Sequence, residues 1–166
     1  MDSLTSKYGD LHNITKQMLL DRGVTLEDIA DLVLFLQKDY VPDLTIERCL
    51  ANVDHVLTKH EVQLAVLTGI QLDIITERKL LISPLQEIIE VDEGLYGVDE
   101  TLALSILNLY GTIGLTNYGY IDKLKYGILK HINDKSTGKV NTFLDDIVGA
   151  VAAAAASRIA HSDGSK

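Results

Sequence analysis

Apolar residues recur along this chain at spacings of three and four, and no run alternates apolar with polar between turn residues. That periodicity predicts helices and no sheet. A helix is expected over 26–40 (LEDIADLVLFLQKDY), opened by Thr25 with Asp28 at capping-box spacing and stopped by Pro42. Thr45 opens the next, over 46–57. Thr58 and Glu61 repeat the capping-box spacing ahead of a long helix over 61–78. Pro84 sits in the first turn of a helix over 85–94, where its missing N–H costs nothing. A helix over 98–111 closes at Gly111. The segment 111–119 (GTIGLTNYG) reads as a loop, 120–134 as a helix, and 141–161 as the last helix. The chain is therefore expected to be all-α, a compact single-domain bundle of about seven or eight helices spanning residues 1–166.

Two of these helices are nearly free of charge. Between Leu102 and Leu109 only Ser105 and Asn108 are polar, and between Ile147 and Ser157 almost every side chain is small and apolar. A helix apolar all round is expected to be buried all round. Small side chains let neighbours approach closely, so the C-terminal helix should be a central post.

Composition narrows the function classes. Of 166 residues 46% are hydrophobic, which suits one globular domain with a real core. No apolar run approaches the ~20 residues of a membrane-spanning helix, and the polar start of the chain is not expected to be a signal peptide. The single cysteine, Cys49, allows no internal disulfide and fits a reducing cytoplasm. The net charge of −9, from 24 acids against 15 bases, offers no basic footprint for nucleic acid. It suits a chain that holds a divalent cation with carboxylates, and it suits an ordinary acidic soluble protein equally well.

The charge-poor helices each begin with an acid pair, Asp99-Glu100 and Asp145-Asp146. Acids in a first turn cap free N–H groups and face the positive end of the helix dipole. If the two helices pack together, the same four carboxylates converge, and like charges at close range do not all stay ionised without a cation. Hard oxygen ligands of this kind suit Mg²⁺ or Mn²⁺. On the long helix Val62, Val66, Ile70, Asp73 and Glu77 share one stripe, so either the stripe leaves the core at its end or it points two acids at a site. Asp122 and Lys125 share a helix face, as a surface ion pair or as a metal ligand beside a phosphate ligand. His60 and His161 read as surface or helix-end residues.

Three blocks carry a family likeness. VDETLALSI (98–106), YIDKLK (120–125) and FLDDIVGAVAAA (143–154) occur in the order of the Asp-Glu, Asp-x-x-Lys and Asp-Asp-Ile-Val blocks of phosphatidylglycerophosphatase A. The chain resembles that family over about residues 65–161, and in particular its short soluble branch, the low-temperature-requirement C type of Bacillus-like bacteria. Residues 1–60 read as a helical N-terminal extension. The proline that follows the lysine of the second block in the family is Tyr126 here.

The resemblance implies an all-helical Mg²⁺-dependent phosphatase acting on phosphatidylglycerol phosphate or a related phosphomonoester. It implies Asp99, Glu100, Asp122, Asp145 and Asp146 as metal ligands and Lys125, with Lys123, as phosphate contacts. Glu100 or Asp146 would be the base that activates water, and the 111–119 segment is a candidate phosphate cradle. The partners implied are a phosphorylated substrate, including a lipid headgroup met at the inner membrane face, and further copies of the chain in a homo-oligomer. Two alternatives stay open: a helical nucleotide pyrophosphohydrolase-like enzyme, and a non-catalytic metal-binding helical oligomer.

Overall fold

The computed structural model describes residues 3–163. Among them are ten α-helices, one 3-10 turn and no strand. The helices are α1 (Ser3–Tyr8), α2 (Leu11–Asp21), α3 (Leu26–Gln37), α4 (Ile46–Val56), α5 (His60–Glu77), α6 (Leu85–Glu90), α7 (Val98–Leu107), α8 (Gly111–Leu124), α9 (Ile128–Ile132) and α10 (Leu144–Asp163), with the 3-10 turn at Lys135–Thr137. The count exceeds the expected one because α1 and α2 precede the first helix read from the pattern, and because 120–134 is not continuous.

Local signals act as the sequence suggests at several ends. Thr25 and Asp28 form a complete capping box on α3, and Thr45 accepts from the Arg48 N–H on α4. The Thr58–Glu61 spacing does not form a box. Lys59 is the N-cap of α5, and the Thr58 hydroxyl instead donates to the His55 carbonyl at 2.6 Å.

The C-terminal helix is the central post. Every residue from Leu144 to Ser157 is buried, and α3, α4, α5, α7, α8 and α9 all pack on α10. Small residues on both sides make this possible. At Gly69 of α5 an added Cβ would overlap Ile147 Cδ1 and stand 3.1 Å from Leu102 Cδ2 and Phe143 Cβ. Ser157 of α10 is so close to the end of α7 that its hydroxyl donates to the Tyr110 carbonyl at 2.8 Å.

Two expectations change. The α7 helix is not buried all round: α10 and α5 cover one side, while Val98, Leu104 and Leu109 face outward at the edge of the bundle. The segment 111–119 is not a loop but the first two-thirds of α8. Gly114 faces Ser157, and the buried Tyr118 ring lies against Gly149. Packing on α10 overrides the weak helix propensity of the glycines. The helix α8 stops at Leu124, short of the expected 134, because Lys125 turns left-handed (φ 50°, ψ 47°) and Gly127 also has positive φ.

Candidate metal centre

The first turn of α10 is held from outside. Asp73, fully buried on α5, accepts from the Phe143 N–H at 3.0 Å with one oxygen and from the Leu144 N–H at 2.9 Å with the other. One helical turn on, Glu77 accepts from the Val140 N–H at 2.8 Å and pairs with Arg22 at 2.7 Å. Arg22 also donates to the Val140 carbonyl and the Asn141 side chain. The acid stripe of α5 therefore does not line the acidic cavity; buried Asp73 and half-buried Glu77 fasten the strap that leads into α10. Burial pushes the Asp73 carboxyl up to about 7, against the pull of the two N–H groups, while Arg22 holds Glu77 below the usual range.

With Asp73 serving the end of the helix, the carboxylates of α10 point elsewhere. Asp99 and Glu100 at the start of α7, Asp122 and Lys125 at the end of α8, and Asp145 and Asp146 at the start of α10 line one polar cavity of about 190 Å³. Asp92, Glu93 and Gly94 from the turn after α6, and Asn133 after α9, complete its wall. One ligand oxygen from each of Asp122, Asp145 and Asp146 lies within 4.8 Å of the other two. Lys123 is exposed and does not line the cavity. The 111–119 segment is helix, and none of it lines the cavity.

The contacts inside the cavity show how so many acids coexist. Lys125 Nζ stands 2.6 Å from Asp122 Oδ1 and 2.9 Å from Asp145 Oδ2. Burial works against the charge on Lys125, but Asp145 and Asp122 together hold the ammonium above its ordinary range. Asp145 Oδ1 accepts from the Asp146 N–H at 2.9 Å. Burial lifts the Asp145 carboxyl to about 6, with the Lys125 charge pulling the other way.

Asp146 is pushed much further up. Burial is the first cause, the Asp145 charge the second, and a hydrogen bond shared with Asp99 the third. It also accepts from the Tyr118 hydroxyl at 3.0 Å. Burial and the neighbouring acids hold that phenol far above its ordinary range, so it stays a donor. One ammonium and one retained proton thus offset a set of acids that would otherwise repel.

The donor set suits a hard divalent cation: several carboxylate oxygens within reach of one another, no sulfur and no imidazole. A cation there would let Asp146 ionise.

Comparison with known proteins finds relatives over most of the chain. The sequence model described as Phosphatidylglycerophosphatase A matches residues 17–161. The chain belongs to the phosphatidylglycerophosphatase A family. The match begins well ahead of the three motif blocks and takes in the N-terminal helices α3 and α4. The uncharacterized protein YutG of Bacillus subtilis is 59% identical over 159 residues, covering 96% of each chain. Among solved structures, the low temperature requirement C protein of Listeria monocytogenes is 61% identical with a TM-score of 0.92, covering 95% of this chain and 99% of that one. A protein of unknown function from Bacillus stearothermophilus is 64% identical with a TM-score of 0.90, covering 92% and 94%. Among the described residues no helix is long and apolar enough to cross a membrane.

The nucleotide pyrophosphohydrolase alternative finds little support within this family fold. Glu87, Glu90 and Glu93 have the Glu-x-x-Glu spacing typical of such enzymes. They do not converge: Glu87 is exposed, Glu90 pairs with Lys79, and only Glu93 lines the cavity.

Tyr118, Asp92, Glu93 and Asn133 line or support the site without having been marked by the sequence pattern. Tyr118, Asp122 and Lys125 lie at i, i+4 and i+7, a signal hidden once 111–119 was read as a loop. Asp92 and Asn133 come from turns, and nothing in their spacing marks them. Asp73 was noticed, but periodicity does not tell which neighbouring backbone a carboxylate meets.

Proposed function

We propose that the protein is a Mg²⁺-dependent phosphatase that hydrolyses the phosphomonoester of phosphatidylglycerol phosphate or a related phosphomonoester. The observation that carries this reading is the convergence of Asp99, Glu100, Asp122, Asp145 and Asp146 with Lys125 in one polar cavity. Family membership supports the reaction class.

Asp122, Asp145 and Asp146 are the residues that would hold the cation, with Asp99 beside Asp146. Mg²⁺ or Mn²⁺ there supplies electrostatic stabilisation of phosphoryl oxygens and of the charge that builds in displacement. Glu100 lines the cavity but lies outside the tight group of three, and it is exposed enough to meet water. It is assigned as the base: it takes a proton from water as the water oxygen bonds to phosphorus. The ester P–O bond breaks, the released alkoxide takes a proton from solvent, and inorganic phosphate leaves. Lys125 contacts a non-bridging phosphate oxygen. Tyr118 fixes the orientation of Asp146 through its hydrogen bond.

The test measures phosphate release from phosphatidylglycerol phosphate in vesicles and from soluble glycerol phosphate, with Mg²⁺ and with chelator. Mg²⁺-dependent release that Asp145→Asn abolishes supports the reading, and the preferred substrate sets lipid against soluble monoester. A lack of release from either substrate by a folded, Mg²⁺-binding protein would overturn the phosphatase reading and leave a metal-binding helical protein.

A further inference from the structure

Lys125 is the basic residue that lines the acidic cavity. Its backbone is left-handed at φ 50° and ψ 47°, although the side chain is not glycine. That conformation is disfavoured in an L-residue. It turns the chain at the end of α8 and brings the ammonium to the start of α10. There Nζ bridges Asp122 Oδ1 and Asp145 Oδ2 at 2.6 and 2.9 Å.

Both oxygens belong to carboxylates that would hold a divalent ion. Asp145 Oδ1 already accepts from the Asp146 N–H, and Oδ2, the oxygen of Asp145 with no backbone partner, holds Nζ. Asp122 and Asp145 are also two of the three residues whose ligand atoms come within 4.8 Å of one another. A Mg²⁺ ion draws its oxygens to about 2.0–2.1 Å. A +2 ion at that distance and a +1 ammonium do not comfortably share one pair of oxygens.

We infer that Lys125 is the resident counter-ion of the metal-free site, that a divalent cation displaces its ammonium from Asp122 and Asp145, and that the displaced side chain is thereby released toward the phosphate. The inference rests on the proposed metal site, and it makes the metal-free and metal-bound proteins two discrete states. Without the cation, Lys125 closes the carboxylates on one another and is not available to substrate. With the cation, the same side chain is a mobile cation beside the cavity. The order of events follows: cation first, phosphate second.

Two measurements test this without using turnover. Calorimetric titration of Mg²⁺ compares wild type with Lys125→Met, which keeps the length and removes the charge. The variant is expected to bind Mg²⁺ at least about ten-fold more tightly, since no ammonium competes and none repels. In the wild type, acylation of Lys125 by an amine-reactive ester, read by peptide mass spectrometry, is expected to rise severalfold on adding Mg²⁺. The second measurement needs no variant, so a Lys125→Met protein that fails to fold leaves the test intact.

Mg²⁺ binding that leaves Lys125 acylation unchanged or lowered would overturn the exchange while sparing the metal site. Equal or weaker Mg²⁺ affinity in a folded Lys125→Met protein would do the same. Absence of Mg²⁺ binding by the wild type would overturn both the exchange and the function proposed above.

Discussion

Removing the Asp73 carboxylate separates the two kinds of acid in this protein. Asp73 is fully buried, and its two oxygens accept from the N–H groups of Phe143 and Leu144, which are themselves fully buried. In Asp73→Ala that cap is lost. Two N–H groups are left without a partner, at about 1–3 kcal/mol each where no water enters. Relief of a carboxylate that burial disfavours works the other way. A net loss of about 3 kcal/mol is expected. In a chain of this size each kcal/mol moves the melting temperature by about 2–4 °C, so the shift should be roughly 6–12 °C downward. Far-ultraviolet circular dichroism melts in chelator read it directly. Asp73→Asn keeps one acceptor oxygen and should lose about half as much. If both variants melt within about 1 °C of wild type, Asp73 does not hold α10.

Other predictions follow from the same contacts. Asp146→Asn should melt no lower than wild type in chelator, because asparagine still accepts from Tyr118 and no longer resists ionisation, and it should lose the rise in melting temperature that Mg²⁺ gives the wild type. Gly69→Ala drives a methyl into Ile147, Leu102 and Phe143 and should cost about 1–3 kcal/mol in denaturant titrations. The pH dependence carries a definite sign. Asp73 and Asp145 have folded values raised from 3.8 to about 7 and about 6, so between about pH 4 and 7 the native state binds more protons than the unfolded one. Their contribution to stability is therefore present at low pH and is lost as pH rises through that window. Melts of metal-free protein should show this slope, reduced in Asp73→Asn, and saturating Mg²⁺ should flatten the part owed to Asp145.

Much of this was legible in the sequence, and the rest was hidden for physical reasons. The smooth run from Ile147 to Ser157 announces a buried post, and the structure buries it completely. The acid pairs at the heads of α7 and α10 announce a meeting point, since both helices pack side by side. The Gly-rich stretch before Tyr118 could not be read, because its helix is stabilised by α10 rather than by its own residues. The break at Lys125 could not be read either, as no proline marks it and a left-handed lysine has no sequence signature. Asp73, distant in sequence, takes the N–H groups of Phe143 and Leu144, so Asp145 meets only the Asp146 N–H of the first turn while both acids face the cavity.

The central claim is that the carboxylates at the head of α10 hold a divalent cation. Anomalous diffraction from crystals grown with Mn²⁺ tests it most directly. The account predicts a peak within coordination distance of Asp145 Oδ2, with Asp122 and Asp146 as further ligands and Lys125 Nζ moved off Asp145. A structure with Mn²⁺ absent from this cavity, and Lys125 still bridging Asp122 and Asp145, would contradict it.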